Sequence, residues 1–341
     1  KSLGLVFKFQ VLRGVLFLWL IFIYLFVFVV FWMFFLDSLE VDRVLRQLRS
    51  VYGSVSEDLR GWNWSSDLLS PPVEGVYLSV SEVANRYCST YRDVYLKRVL
   101  GMPAPYSYKT VRGWVYHGVC KKVVEKAKSK LYLEGLMSGS KLYSSLLIDR
   151  RDVVDGLLGE YEVSKHLDQH YLDRLRREAE TLYSFLALQA ASRLDRVLSR
   201  VSSIDLESVI SRIASVDVER IVNGQLLGLS SELKVDMFAD RRIVIEIKTG
   251  DVRDFHKYAV AGYALAVESD LEIPIDYGIV SYIHVRDDYV KIKNKTYFIG
   301  DELRREFLEV RDEVFSIIHK GLDPGKPSDC PEYCVYYGVC G

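Results

Sequence analysis

Apolar and polar positions alternate in two short runs, Leu233–Phe238 and Arg242–Lys248, which predicts a β-hairpin near the middle of the C-terminal half. In the second run Ile243, Ile245 and Ile247 share one face while Glu246 and Lys248 share the other. One side can therefore pack against a helix and the other can hold chemistry. Asp236 joins that polar face when the turn leaves an even pairing sum; a three-residue loop, Ala239–Arg241, would set Asp236 opposite Val244 and diagonal to Glu246. Diagonal neighbours on one face lie about 7 Å apart, a spacing suited to two carboxylates that share a hard cation.

The same reading places the other elements. Residues 54–80, with Gly61–Trp64 and the pair Pro71 and Pro72, form a loop-rich connector, and residues 81–135 read as helices. From Asp152 to about Arg200 the Leu/Tyr periodicity gives long amphipathic helices of mixed charge, a scaffold without a chemical motif. Residues 215–250 give a sheet and Asp251–Glu268 a helix carrying Tyr263, followed by a second hairpin, Asp276–Val285 and Tyr289–Phe298, around Asp287 and Asp288. Asp301–Lys320 is the last helix. The chain thus divides into residues 1–32, a hydrophobic extension; 33–135, an N-terminal helical part; 136–212, a helical insertion; 213–320, the core; and 321–341, a cysteine-rich end.

The extension changes the picture most. Gly14–Leu36 is 23 residues without a charge, preceded by Lys8 and Arg13, long enough for a membrane span. The first methionine, however, is Met33, and a helix start is legible just after it, with Asp37 or Ser38 as cap and Val41, Val44, Leu45 and Leu48 in helical register. We expect residues 1–32 to lie outside the fold and a membrane anchor to be absent.

Composition adds bounds. A chain of 341 residues with 49% hydrophobic content sustains a large core, and a net charge of −1 exerts no global pull on a polyanion. Local charge differs: between residues 86 and 130 eleven Lys or Arg face only Asp93 and Glu125. That basic stretch, interleaved with Tyr87, Tyr91, Tyr95, Tyr106, Tyr108, Trp114 and Tyr116, suits a phosphate backbone with unpaired bases, although aromatics at helical spacing equally fill a core. No Gly-rich phosphate loop and no internal repeat are present.

Two groups carry candidate chemistry. Asp236, Glu246 and Lys248 form the spaced acid, acid-x-lysine pattern in which carboxylates bind Mg²⁺ or Mn²⁺ and the lysine orients a water or offsets developing charge. Taken alone, the pattern is weak evidence and more often marks a solvated ion pair. At the chain end Cys330, Cys334 and Cys340 place three thiols in eleven residues after a Pro/Gly break, and Cys88 is the best fourth, since Cys120 lies within an expected helix. Thiolates suit zinc or an iron–sulphur cluster, and spacing does not separate them. His166 and His170 sit four apart but lack the glutamate of a zinc-protease helix.

Together these residues resemble the CRISPR-associated RecB-like exonucleases with an iron–sulphur cluster, most closely their divergent archaeal subfamily (the "Cas-four" type and its "Csa-one" variant), over roughly Leu36–Gly341. The resemblance implies an α/β restriction-endonuclease-like core of the PD-(D/E)xK superfamily, with a helical insertion and a C-terminal iron–sulphur module. It further implies a 4Fe-4S cluster on Cys88, Cys330, Cys334 and Cys340, and Mg²⁺ or, with an imidazole ligand, preferably Mn²⁺ on His117, Asp236 and Glu246, with Lys248 assisting. Tyr263 and Arg112 would position DNA. The implied role is cytoplasmic trimming of single-stranded DNA ends or overhangs for CRISPR spacer acquisition, alongside the integrase proteins. Two departures stand out. The terminal group has three residues in its first gap where relatives usually have two, and Ala259 stands four before Tyr263 where a Gln is expected, with His256 or Lys257 as substitutes. Rival readings are a non-catalytic DNA-end-binding scaffold and a membrane-anchored protein with a zinc Cys₄ module.

Overall fold

The computed structural model describes residues 45–46, 53–200, 205–213, 216–239, 242–330 and 334–340. Residues 1–32, and with them the anchor question, lie outside the described residues; among those described, no helix is long and apolar enough to cross a membrane.

A five-stranded mixed sheet lies between two helical layers. Its strands are β1 (Val216–Val222), β2 (Leu233–Ala239), β3 (Ile243–Lys248), β4 (Tyr277–Arg286) and β5 (Tyr289–Phe298), paired in sequence order. All neighbours are antiparallel except β3 and β4, which run parallel and therefore need a crossover helix, α7 (Lys257–Leu271).

One layer contains α3 (Tyr108–Glu134), α4 (Gly139–Glu160), α5 (Gln169–Arg200) and α6 (Leu206–Ile213). Helix α3 starts at Ser107, whose hydroxyl accepts from the Thr110 N–H, and stops at Gly135 with φ 76°. Val111, Val115, Val119, Val123, Ala127 and Leu131 recur every fourth residue along it and are all fully buried. Burial of this stripe outweighs the modest helix propensity of valine. It joins Ile243, Ile245 and Ile247 of β3 in one core, as the alternation predicts. The other layer comprises α1 (Val80–Ala84), α7 and α8 (Asp301–Lys320), with α2 (Arg92–Arg98) against α8; it packs on Val235, Phe238, Val244, Val280 and Tyr282. A short α9 (Tyr337–Cys340) closes the chain.

The hairpin register corrects the expected one. Ala239 pairs with Ile243, Phe238 with Val244 and Met237 with Ile245, so the three-residue connection is 240–242 and Asp236 falls level with Glu246, not Val244. The even sum holds, but the strands are offset by two positions. Strict alternation also fails in β2. Leu233 and Val235 pack in one core and Met237 and Ala239 in the other, so the two ends of the strand face opposite layers. The reversal falls at Asp236. Across from it in β1, between the pairs Val218 with Met237 and Arg220 with Val235, Glu219 takes a left-handed backbone with φ 48°. For a residue other than glycine this conformation costs free energy that the surrounding sheet must hold in place.

Candidate active site at the strand ends

The twist at Asp236 turns its carboxylate toward α3. There His117 Nδ1 lies 3.1 Å from Asp236 Oδ1. Asp236 Oδ2 accepts from the Ile247 N–H at 2.7 Å, taking a backbone donor of β3 beyond the last regular pair and fixing the carboxylate between helix and sheet. Next along β3, Lys248 Nζ contacts Glu246 Oε1 at 2.7 Å, with both side chains largely shielded. The pair is therefore buried rather than solvated. Glu246 Oε2 is buried with no hydrogen-bond partner.

Electrostatics sets these groups apart. Burial lifts Glu246 to about 7, aided by the Asp236 charge and opposed by Lys248. Burial also acts on Asp236, but the neighbouring His117 and the Ile247 N–H outweigh it and hold that carboxyl below its usual range. His117 is raised despite burial, because Asp236 and Glu246 favour the imidazolium, and Lys248 is raised for the same kind of reason. Tyr263 of α7 approaches both acids; burial, then Glu246 and Asp236, keep its hydroxyl protonated. Two adjacent carboxyls with opposite shifts are an arrangement shared by acid–base centres, metal centres and buried ion-pair networks.

A small cavity with about 10 Å³ of free volume, room for roughly one water, opens among His117, Cys120, Lys121, Val218, Glu219, Asp236, Met237 and Ile247. Glu219 was not singled out by the sequence. It pairs with Lys121 at 2.5 Å, one turn beyond His117. The signal was weak: Arg220 interrupts the apolar alternation of β1 beside it. Among the described residues no group of three or more His, Cys, Asp or Glu forms a ready metal cage. His117 and Asp236 are instead engaged with each other, and Glu246 with Lys248.

Other candidates separate. Arg112 donates to the Thr249 carbonyl at 2.6 Å and lies over the rings of Tyr108 and Tyr116, tying the loop after β3 to α3. Ala259 is buried in the core of the α7 layer. Lys257 turns to Glu306 at 2.5 Å. His256, fully buried, is held between the hydroxyls of Tyr87 at 3.1 Å and Tyr282 at 3.0 Å, and burial followed by the Lys248 and Arg253 charges pushes it down to about 3. His166 and His170 lie in aromatic contacts with Tyr106, Trp114 and Tyr171.

Near the chain end Cys334 lies within electrostatic range of Cys330 and of Cys88, without forming a ready metal cage among the described residues. All five are free thiols. Burial, then the neighbouring Cys330, Asp93 and Cys88, raise Cys334, and Cys340 lies close enough to Arg92 to strengthen its charge. Arg92 grips Asp323 through three hydrogen bonds, while Thr90 donates to the Gly325 carbonyl at 2.7 Å. Cys120 is buried in the α3 layer, apart from this group.

A mixed α/β fold in which an imidazole of α3 meets two acids and a lysine of adjoining strands defines the class as a candidate hydrolytic centre. Comparison with known proteins gives the family. The model of the family "CRISPR-associated exonuclease Csa1" matches residues 33–341, and the chain belongs to that family. Similar relatives include CRISPR-associated exonuclease Csa1 of Saccharolobus solfataricus, 35% identical over 316 residues, which cover 90% of this chain and 99% of that protein. A relative of the same name from Thermoproteus tenax is 30% identical over 307 residues, 89% of this chain and 99% of its own length.

Proposed function

We propose that this chain is a metal-dependent DNA exonuclease with a restriction-endonuclease-like core, trimming single-stranded DNA ends that feed CRISPR spacer acquisition alongside integrase proteins. The observation that carries the reading is the orphaned Glu246 Oε2, buried beside Asp236 and His117. A buried acceptor without a partner is costly unless something else binds it. The donor set of two carboxylates and an imidazole fits Mg²⁺ or Mn²⁺, with His117, Asp236 and Glu246 as the holding residues. When bound, such an ion polarises a scissile phosphate and supplies hydroxide near neutral pH.

The chain's own groups have separate tasks. The Ile247 N–H keeps Asp236 in one orientation. Lys248, charged and shielded, steadies Glu246 and offsets negative charge that develops on the phosphate. Tyr263, held protonated, can donate to a phosphate oxygen. The decisive assay is Mn²⁺-dependent degradation of single-stranded DNA: the wild type should cut, and Asp236→Ala and Lys248→Ala should each lose at least about a hundredfold in rate. Equal cutting by both variants and the wild type overturns the nuclease reading. Loss of cutting from all forms, with DNA-end binding kept, favours the scaffold reading, toward which the buried Ala259 leans.

A 4Fe-4S cluster on Cys88, Cys330, Cys334 and Cys340 is the second part of the proposal. Cys334 lies within electrostatic range of Cys330 and of Cys88, more than 240 residues earlier, and packs in the same small cluster as Cys340, so a bound cluster would draw the four thiols together and close this long stretch of chain. Bound iron with broad visible absorbance, lost in Cys330→Ala, supports it; colourless protein containing zinc replaces it with a Cys₄ zinc site.

A further inference from the structure

We propose that Tyr106, Trp114, His166 and Tyr161 form a base-stacking shelf that receives the unpaired end of a nucleic-acid strand; the inference rests on the nuclease reading and names where its substrate lies. Three separate segments build the shelf: the loop before α3, α3 itself, and the turn after α4. The Tyr106 ring is 4.4 Å from His166 and 5.2 Å from Trp114, and Trp114 is 6.1 Å from His166 and 6.3 Å from Tyr161. These rings are inclined to one another rather than stacked face to face, which leaves π-faces for an incoming base.

Exposure is greatest at Tyr106, while Trp114 and Tyr161 rest on the α3-layer core with part of their surface open. Tyr91 and Tyr116, from the same stretch of sequence, are 0% and 1% exposed, whereas Tyr106 is 57% exposed and Trp114, Tyr161 and His166 are half-buried. The shelf also leads somewhere. Trp114 lies one turn before His117 on α3, and Tyr161 sits against Gly118, where a Cβ would clash with the Leu157 side chain at 2.7 Å and meet the Tyr161 hydroxyl at 3.1 Å. Tyr161 is near enough to Glu219 and Lys121 to feel their charge, and those residues line the cavity shared by His117 and Asp236.

Charge favours a polyanion. From Tyr106 to Lys122 the chain carries Lys109, Arg112, Lys121 and Lys122 and no acid. Of the nearby acids, Glu219 is paired with Lys121 and Glu162 with Lys165, while Glu160 sits beside Tyr161 and bears on its hydroxyl. Aromatic faces beside cations, continuous with a phosphodiester-cutting site, match a strand whose bases are unstacked; a duplex keeps its bases stacked and away from the rings.

The test measures binding in EDTA, so that cutting does not enter. Three fluorescent probes are used: a short single strand, the same strand with abasic sites at its end, and a blunt duplex. The wild type should bind the base-containing strand roughly tenfold or more tighter than the abasic one, and tighter than the duplex. The double variant Tyr106→Ala/Trp114→Ala should lose that discrimination while keeping its affinity for the abasic strand. Tyr106→Trp/Trp114→Phe should restore it, with circular dichroism and melting checked for each form. Discrimination retained by the alanine variant, or absent from the wild type, overturns the shelf alone. Failure of the wild type to bind any probe overturns the shelf together with the DNA reading.

Discussion

Two buried glutamates in this protein have opposite surroundings. Glu268, near the end of α7, accepts from Arg60 at 2.7 Å, Gly61 N–H at 2.9 Å, Ile275 N–H at 2.9 Å, and the two terminal nitrogens of Arg304 at 2.6 and 2.9 Å. Gly61 is required there, because a Cβ would collide with the Leu265 carbonyl. Arg304 itself is saturated by the carbonyls of Leu59, Ile275 and Ile299. Glu246 has one partner, Lys248, and one bare oxygen. A fully satisfied buried charge ties chain segments together, whereas a half-satisfied one is held ready for something to bind. The first network joins the connector to α7 and α8; the second faces α3 and the cavity.

The comparison can be broken in order of size. Glu268→Ala should cost about 3–5 kcal/mol in urea unfolding, since it leaves the fully buried Arg304 without its carboxylate while Arg60 keeps only Asp276. A loss under about 1 kcal/mol would remove the distinction. Next, Mn²⁺ at a hundredfold excess over its Kd should stabilise the wild type by about 2.7 kcal/mol and leave Glu246→Gln unmoved. An equal shift in both forms would take the ion away from Glu246. Glu246→Gln without metal should cost about 1–2 kcal/mol, because it leaves the shielded Lys248 charge without its carboxylate partner, with only Asp236 nearby to offset it.

The smallest effect is a slope. His256 is neutral in the fold, with its pKa pushed down to about 3 from an ordinary 6.5. Between those values the unfolded chain binds more protons than the native one, so this stability is full above about pH 6.5 and is lost as pH falls toward 3. His256→Gln should flatten that part of the stability curve in denaturant titrations across pH. An unchanged slope would place the histidine's proton uptake elsewhere.

Much of the fold was legible in the sequence because its strongest signals are local. The isoleucine alternation of β3, the hairpin of β4 and β5, and α8 from Asp301 to Lys320 appear where the pattern puts them, with Gly321 in a left-handed turn at the helix end. The candidate site was legible in kind: His117 meets Asp236, and Lys248 meets Glu246. Three features escaped it. The two-residue offset of β2 against β3 is local to the hairpin, whereas the left-handed Glu219 and the joining of Tyr161 and His166 to Tyr106 and Trp114 depend on contacts between segments far apart in the chain.

The sequence by itself determined which residues are apolar at which period, and therefore the elements, their buried faces and the residue types available for chemistry. Only the tertiary structure decided which carboxylate keeps an empty oxygen, which lysine is spent on which acid, and which tyrosines face solvent. The physical reason is that burial and hydrogen-bond satisfaction belong to the packed whole: Glu268 and Glu246 are the same residue type, and their different fates come from neighbours the chain brings in from afar.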